Sequence, residues 1–373
     1  MKKLLLSIAA VLAFAYTSEA QLTTQASFGS GIQITGTDAN KNQTFATKIN
    51  MRIQPRYDGM YVDADGSDYM DRWYVRRGRI KAAGWAFSKN IEFKMQYDMV
   101  GGNVLDALVK FKVADNTKIW FGQGKLNGNR ESNISSQKLQ FVDRSMLSSK
   151  FTLDRDAGVG LEHKIKAGEN FVIKEKVSIA QGDGINNKSF SNGHAYTGRI
   201  EILPLGEFTK KGDYSGGDLK REKKPKLAIG VSYDMNTKSV KERGQKGDAV
   251  ADSLVSDLST LFADFMFKVN GFSLMGEFAT REVADDFAQG TYYTGSAINV
   301  QAGYLFKNNF EVAGRVSMLS PDKEVGDDIS EVTIGLSRYI VGHNLKIQSD
   351  FGIIQEDNSD DEFMFRLQME VAF

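Results

Sequence analysis

Residues 91–99, Ile91-Glu92-Phe93-Lys94-Met95-Gln96-Tyr97-Asp98-Met99, alternate apolar and polar side chains without a break. A β-strand sends successive side chains to opposite faces, so Ile91, Phe93, Met95, Tyr97 and Met99 share one face. Glu92, Lys94, Gln96 and Asp98 share the other. A helix would scatter both sets around its circumference. The last eleven residues repeat the pattern, with Phe363, Phe365, Leu367, Met369, Val371 and Phe373 opposite Met364, Arg366, Gln368, Glu370 and Ala372.

Working outward from these two runs, the same period recurs near 46–62, 72–87, 104–113, 117–124, 156–166, 171–181, 194–203 and 226–235. It continues near 260–269, 272–281, 292–306, 309–319, 328–340 and 344–356. The reading is therefore all-β, with sixteen antiparallel strands expected. The links alternate in length. Short ones stand at 88–90, 115–116, 167–170, 270–271, 307–309 and 341–343, and the links between them are mostly longer. Short turns at one end and longer loops at the other are the pattern of an outer-membrane barrel. Two links depart from it: 100–103 is short for an external loop, and 204–225 is long and basic for a periplasmic one.

The chain opens MKKLLLSIAAVLAFAYTSEAQ, in which Lys2 and Lys3 precede an apolar run and Ser18-Glu19-Ala20 supplies small residues for cleavage. Residues 1–20 read as a secretory signal peptide, 21–45 as an N-terminal extension and 46–373 as a transmembrane β-barrel. No later segment approaches the roughly 18 to 20 apolar residues of a spanning helix. There is no cysteine, which removes disulfides and thiolate chemistry. Lysine plus arginine equals aspartate plus glutamate at 47 each, so no nucleic-acid partner is expected from bulk charge. With 36 glycines, 4 prolines and 11% aromatics, the composition suits many strands joined by tight turns. The mean hydropathy of −0.34 fits a barrel, because every second residue faces a wet lumen.

A soluble β-sandwich also alternates. Its strands are usually about 5 to 6 residues long, however, and these runs are longer and carry aromatics near their ends, including Trp85, Phe87, Trp120, Phe121, Tyr304 and Phe306. Open sheet edges do not survive in lipid, and closure removes them.

If the apolar face meets lipid, the other face lines the pore. The first strand then sends Lys48, Asn50, Arg52, Gln54 and Arg56 inward, and the second sends Arg77, Arg79 and Lys81, with Arg76 on the opposite face unless a bulge turns it. The fourth contributes Asp106, Lys110 and Lys112. Later strands suggest balanced lumen pairs: Asp264 with Lys268, Glu277 with Arg281, Lys346 with Asp350, and Arg366 with Glu370. The neutral total thus hides a basic wall, which favours an entering anion over a cation.

The longest link, about 125–155, is expected to fold inward as a constriction loop. It would bring Lys125, Arg130, Lys138 and Arg144 opposite the basic stripe, with Leu139, Phe141, Val142, Met146 and Leu147 anchoring it to the wall.

The runs WYVRRGRIKAAGWAF (73–87), IEFKMQYD (91–98), DALVKF (106–111), FGQGK (121–125), FVDRS (141–145) and GVGLEH (158–163) together resemble the phosphate-selective porin O and P family of Gram-negative outer membranes. A further similar stretch is GDLKREKKPKLAIGVSY at 217–233. The resemblance implies a homotrimer of sixteen-stranded barrels with an arginine-rich path to a constricted site for small anions such as phosphate. Carried over residue by residue, it places Arg52, Arg76, Arg77, Asp106, Ser135 and Arg144 at that site. Ser132 stands where the resemblance implies a loop lysine. The aromatic C-terminus, Phe373, looks like the signal read by outer-membrane insertion machinery, and outer-membrane lipid is the expected surrounding.

A barrel serving mainly as a structural protein or adhesin is the alternative, and a barrel hydrolase is a further one. For the latter, His163 falls on the apolar face, His194 starts a strand and His343 lies in a turn, with no GxSxG or HExxH motif. No enzyme, metal or cofactor is expected. A plugged transporter of about 22 strands would need a longer chain.

Overall fold

The computed structural model describes residues 21–64, 68–168 and 170–373, so the expected signal peptide lies outside the described residues. Eighteen strands follow in order: β1 (Gln21–Ser27), β2 (Gly31–Thr37), β3 (Gln43–Val62), β4 (Tyr69–Ala86), β5 (Ser88–Asp98), β6 (Asn103–Ala114), β7 (Thr117–Lys125), β8 (Arg155–Ala167), β9 (Phe171–Ala180) and β10 (Ala195–Leu203). They continue with β11 (Lys226–Ser239), β12 (Ser256–Val269), β13 (Phe272–Val283), β14 (Gly295–Leu305), β15 (Phe310–Pro321), β16 (Ile329–Val341), β17 (Leu345–Glu356) and β18 (Glu362–Ala372). Between β7 and β8 lie two short helices, α1 (Arg130–Asn133) and α2 (Met146–Phe151).

From β3 to β18 each strand pairs antiparallel with the next, and β18 returns to β3 from Glu362↔Val62 to Ala372↔Arg52. This closes a barrel of sixteen strands. Met51 and Phe373 finish the seam by exchanging both backbone hydrogen bonds, at 2.8 and 2.9 Å. The first part of β3 runs on past the end of β18. There it pairs with β2, from Ile32↔Ile49 to Thr37↔Gln43, and β1 pairs only with β2.

The faces are inverted relative to a protein that folds in water. In β15, Phe310, Val312, Val316 and Met318 are exposed while Glu311, Arg315 and Ser317 are buried. The outward set suits hydrocarbon, and each strand from β3 to β18 has a hydrogen-bonded neighbour on both sides, as lipid requires. Aromatic pairs mark strand ends at both rims: Tyr57–Trp73 at 4.6 Å and Tyr61–Phe363 at 6.0 Å at one, Tyr304–Phe306 at 5.1 Å at the other. Tight turns close the Phe306 end. Between β12 and β13, Asn270 (φ 49°) and Gly271 (φ 91°) both take the left-handed conformation that a two-residue hairpin needs.

Residues 126–154 bond to inward-facing side chains rather than to one another alone. Leu147 and Phe151 of α2, with Leu126 and Leu153, are fully or nearly buried against Phe262, Leu319 and the alanines Ala180, Ala195, Ala279 and Ala297. Those alanines sit at inward positions of β9, β10, β13 and β14, and their small side chains leave the room that α2 occupies.

Candidate functional site

The wall formed by β3 and β4 carries the cations. Arg52 and Arg56 stand on the buried face of β3, with Gln54 between them, and Arg77 and Arg79 face them from β4. The ladder slips between Gln54↔Arg77 and Pro55↔Val75, which leaves Arg76 as the extra residue of a β-bulge. Pro55 has no N–H to give to the ladder, and bulges are where a strand accommodates that loss. The bulge turns two consecutive arginines the same way. Arg76 Nε and an Arg77 guanidinium nitrogen both reach the Asp143 carboxylate, at 3.2 and 3.1 Å.

Asp143 belongs to the 126–154 segment, and Arg56 completes its clamp at 2.8 Å. Burial opposes its ionisation, but Arg77, Arg76 and Arg56 outweigh burial and hold the carboxyl well below the usual range. The same segment supplies Ser136, whose hydroxyl accepts from Arg52 at 2.6 Å and from Arg79 at 3.2 Å. The Arg144 guanidinium donates to the carbonyls of Glu131 (3.2 Å) and Ile134 (2.7 Å) and forms no ion pair among the described residues, while its backbone amide donates to Asp143 Oδ1 at 3.0 Å. Asp106 is clamped by Arg155 and Lys94, each at 3.0 Å.

Three cavities border this cluster; one of about 420 Å³ lies at Arg56, Arg76 and Asp143, and the other two share lining residues with each other. The larger, about 660 Å³, is lined by Arg76, Arg77, Arg79, Lys94, Lys125, Arg144, Arg155, Arg243, Lys246 and Arg366, with Asp143, Asp154 and Glu331 as its carboxylates. Hydroxyls of Ser132, Ser135, Ser136, Ser145, Ser148 and Ser149 line it as well. The smaller, about 310 Å³, is lined by Lys48, Arg52, Arg79, Lys81 and Lys138 with Asn50, Gln96, Ser135 and Asn344. Arg79, Gln96 and Ser135 border both, so they mark the place where the two spaces meet.

Several expected placements need correction. Arg130 does not face the basic stripe. It is fully buried on the far wall, bonded to Asp264 at 2.8 Å and 3.6 Å from Glu201, beside Arg199. Lys125 gives its ammonium to the carbonyls of Ser132 and Ile134. None of the four same-strand lumen pairs forms. Asp264 takes Arg199 and Arg130, Lys268 takes backbone carbonyls, and Glu277 accepts from Asn129 and the Glu131 amide. Arg281 donates to Phe151 O, Lys346 to Leu139 O, Asp350 pairs with Arg366, and Glu370 faces Gln54 and Arg52. The reason is distance. Residues four apart on a strand lie about 13 Å apart, whereas cross-strand neighbours lie about 5 Å apart. Lys110 reaches Glu162 of β8 at 2.6 Å, and Lys112 pairs with Asp115 in the turn that follows its own strand, at 2.7 Å.

Ser136, Arg155, Arg243 and Lys246 were not singled out from the sequence. Ser136 is the one with a local signal, since it neighbours Ser135 in a run already chosen. Arg243 and Lys246 lie in the 240–255 loop, and only the fold brings them to the larger cavity.

A family model described as phosphate-selective porin O and P matches residues 47–373. The chain belongs to that family. The porin is thus an outer-membrane channel protein. An uncharacterized protein of Aquifex aeolicus (strain VF5) is 25% identical, over 87% of each chain. Among solved structures, the anion-selective porin from Comamonas acidovorans superposes with a TM-score of 0.56 at 10% identity, over 88% of the porin and 100% of that chain. The trimer form of OmpT, an outer membrane protein of Vibrio cholerae, gives a TM-score of 0.51 at 8% identity, over 87% and 99%.

Proposed function

We propose that this porin passes small anions, phosphate among them, along the β3–β4 wall, with residues 126–154 as the constriction. One observation carries the reading: cations that form no direct ion pair stand in both the larger and the smaller cavity. Among the described residues, the charged groups of Lys48, Lys81 and Lys138 in the smaller cavity and of Arg144 in the larger one make no ion pair within 4 Å. An anion moving between the cavities would pass from Arg144 to Ser135 and Arg79, then to Lys48, Lys81 and Lys138. Each step exchanges hydration for an N–H or O–H donor. The cations already bound to Asp143, Asp106 and Ser136 shape the path and add to its potential.

The likeness to an anion-selective porin supports the same direction, and the trimeric neighbour supports a homotrimer in outer-membrane lipid. Residues 1–20 are proposed as the cleaved export signal and Phe373 as the assembly signal.

The test is a reversal potential in a KCl gradient at low salt. Wild type should prefer chloride, and the triple variant Arg52→Glu, Arg77→Glu, Arg144→Glu should move toward cations. A tenfold preference needs only about 1.4 kcal/mol. A cation-selective wild type, or an unmoved potential in the triple variant, would overturn the reading.

A further inference from the structure

We propose that residues 204–225, which join β10 to β11 at the short-turn end, form an intraluminal strap that closes one half of the barrel, with Lys268 of β12 as its latch. The other links at that end span a handful of residues at most, so this segment's length calls for a role of its own.

Apart from Glu207, which is exposed and pairs with Lys164 and Lys166, the strap buries its carboxylates and exposes its lysines. Asp213, Asp218 and Glu222 point inward and are buried, while Lys210, Lys211, Lys220, Lys223 and Lys224 are exposed. Asp218 accepts from the amides of Glu222 and Gly271, and Glu222 accepts from the amide and hydroxyl of Thr209. The segment therefore holds its own shape. Phe208 fastens it to the wall among Val172, Leu203, Ala228, Met266 and Met275, together with Ile134 and Leu139 of the constriction segment.

Lys268 is 2% exposed and spends its ammonium on three strap carbonyls: Gly212 at 2.9 Å, Ser215 at 2.6 Å, and Gly217. An ammonium has three protons to donate, so this side chain has none left for a passing ion. The strap in turn grips the constriction segment. The Gly216 amide donates to Lys138 O at 2.7 Å, and Arg130 reaches Asp213 O at 3.3 Å. Lys268 is thus a positioning residue that acts on the pathway through two backbones.

Closing the half lined by β10–β15 leaves solute the β3–β4 wall, so the proposal rests on the anion-pathway reading for which route remains. Two variants test it in the full chain. The first shortens 204–225 to a four-residue turn; the second is Lys268→Met, with Lys268→Arg as the rescue. Heat-modifiable migration in gels reports folding, and single-channel recording reports the pore. Shortening should raise conductance roughly twofold or more, because a wider water-filled section is opened. Lys268→Met should raise conductance and its fluctuation, and Lys268→Arg should restore wild-type values. Should the shortened chain fail to fold, the Lys268 pair decides. Wild-type conductance in the folded Lys268→Met variant, alone or with the shortened chain, overturns the strap. A cation-selective wild type overturns the pathway reading instead, and conductance still judges the strap.

Discussion

At the scale of single residues, the proposed anion pathway makes the balance between Asp143 and its three arginines the setting of its positive potential. Arg77, Arg76 and Arg56 outweigh burial and hold the Asp143 carboxyl well below the usual range, which favours the ionised clamp. A unit charge about 8 Å from a passing anion is worth roughly 2 kcal/mol at an effective dielectric near 20. Asp143→Asn should therefore raise the anion-to-cation permeability ratio several-fold at low salt, and less at high salt. The segment stays anchored through Asp143 O, which accepts from Arg315, and the Val142 amide, which donates to Asp350. An unchanged reversal potential would show that this charge lies off the path. His343 makes the opposite kind of prediction. Its Nε2 bonds Ser215 of the strap at 2.9 Å, and burial first, then Lys346, Lys138 and Lys268, push its pKa well below the ordinary value. Tyr339 packs edge-on against the ring. The folded state thus resists the proton that the unfolded chain accepts near pH 6.5. The contribution is fully present above that pH and is lost as pH falls toward the folded value. The temperature of heat modification should drop between pH 7.5 and 5 in wild type and less in His343→Gln. Equal slopes would place the acid sensitivity elsewhere.

At the scale of elements, α2 is the anchor of the 126–154 segment. Phe151 is fully buried, sits edge-on to Tyr293 at 5.6 Å, and its carbonyl accepts from Arg281 at 2.6 Å. Phe151→Ala removes the largest side chain from that contact, at a cost of about 3 to 5 kcal/mol. The barrel wall has its own ladder of hydrogen bonds, so the loss should appear as noisier single-channel current and faster proteolysis within 126–154 rather than as failure to assemble. Quiet, wild-type current from the folded variant would show that other contacts hold the segment. The links make a separate prediction. Tags at 240–250 or 322–327 should be labelled on intact cells, and tags at 89 or 308 should not. Labelling at 308 would invert the orientation.

For the whole molecule, closure depends on one seam, β18 against β3, and Phe373 supplies its last two backbone hydrogen bonds. Deleting Phe373 removes those bonds and an outward aromatic at the rim, so the level of folded, heat-modifiable protein in the outer membrane should fall sharply. Normal levels would refute its part in assembly. The seam also shows why the N-terminal hairpin exists where it does: β18 stops at Ala372, and β2 takes up the backbone of β3 that would otherwise be left unpaired.

Period-two alternation was enough to place sixteen strands within a few residues, because side-chain direction in a strand depends on parity alone. It also put Arg52, Arg77 and Arg79 on the inner face. Partners were another matter. Which carboxylate meets which cation depends on register between strands and on where 126–154 comes to rest, and neither is a local property. Thus Asp264 found Arg199 and Arg130 rather than Lys268, and the bulge opposite Pro55 brought Arg76 to Asp143. The inward course of 204–225 was hidden for the same reason. Alternation says which face a residue occupies, and only the closed barrel decides what stands across the lumen from it.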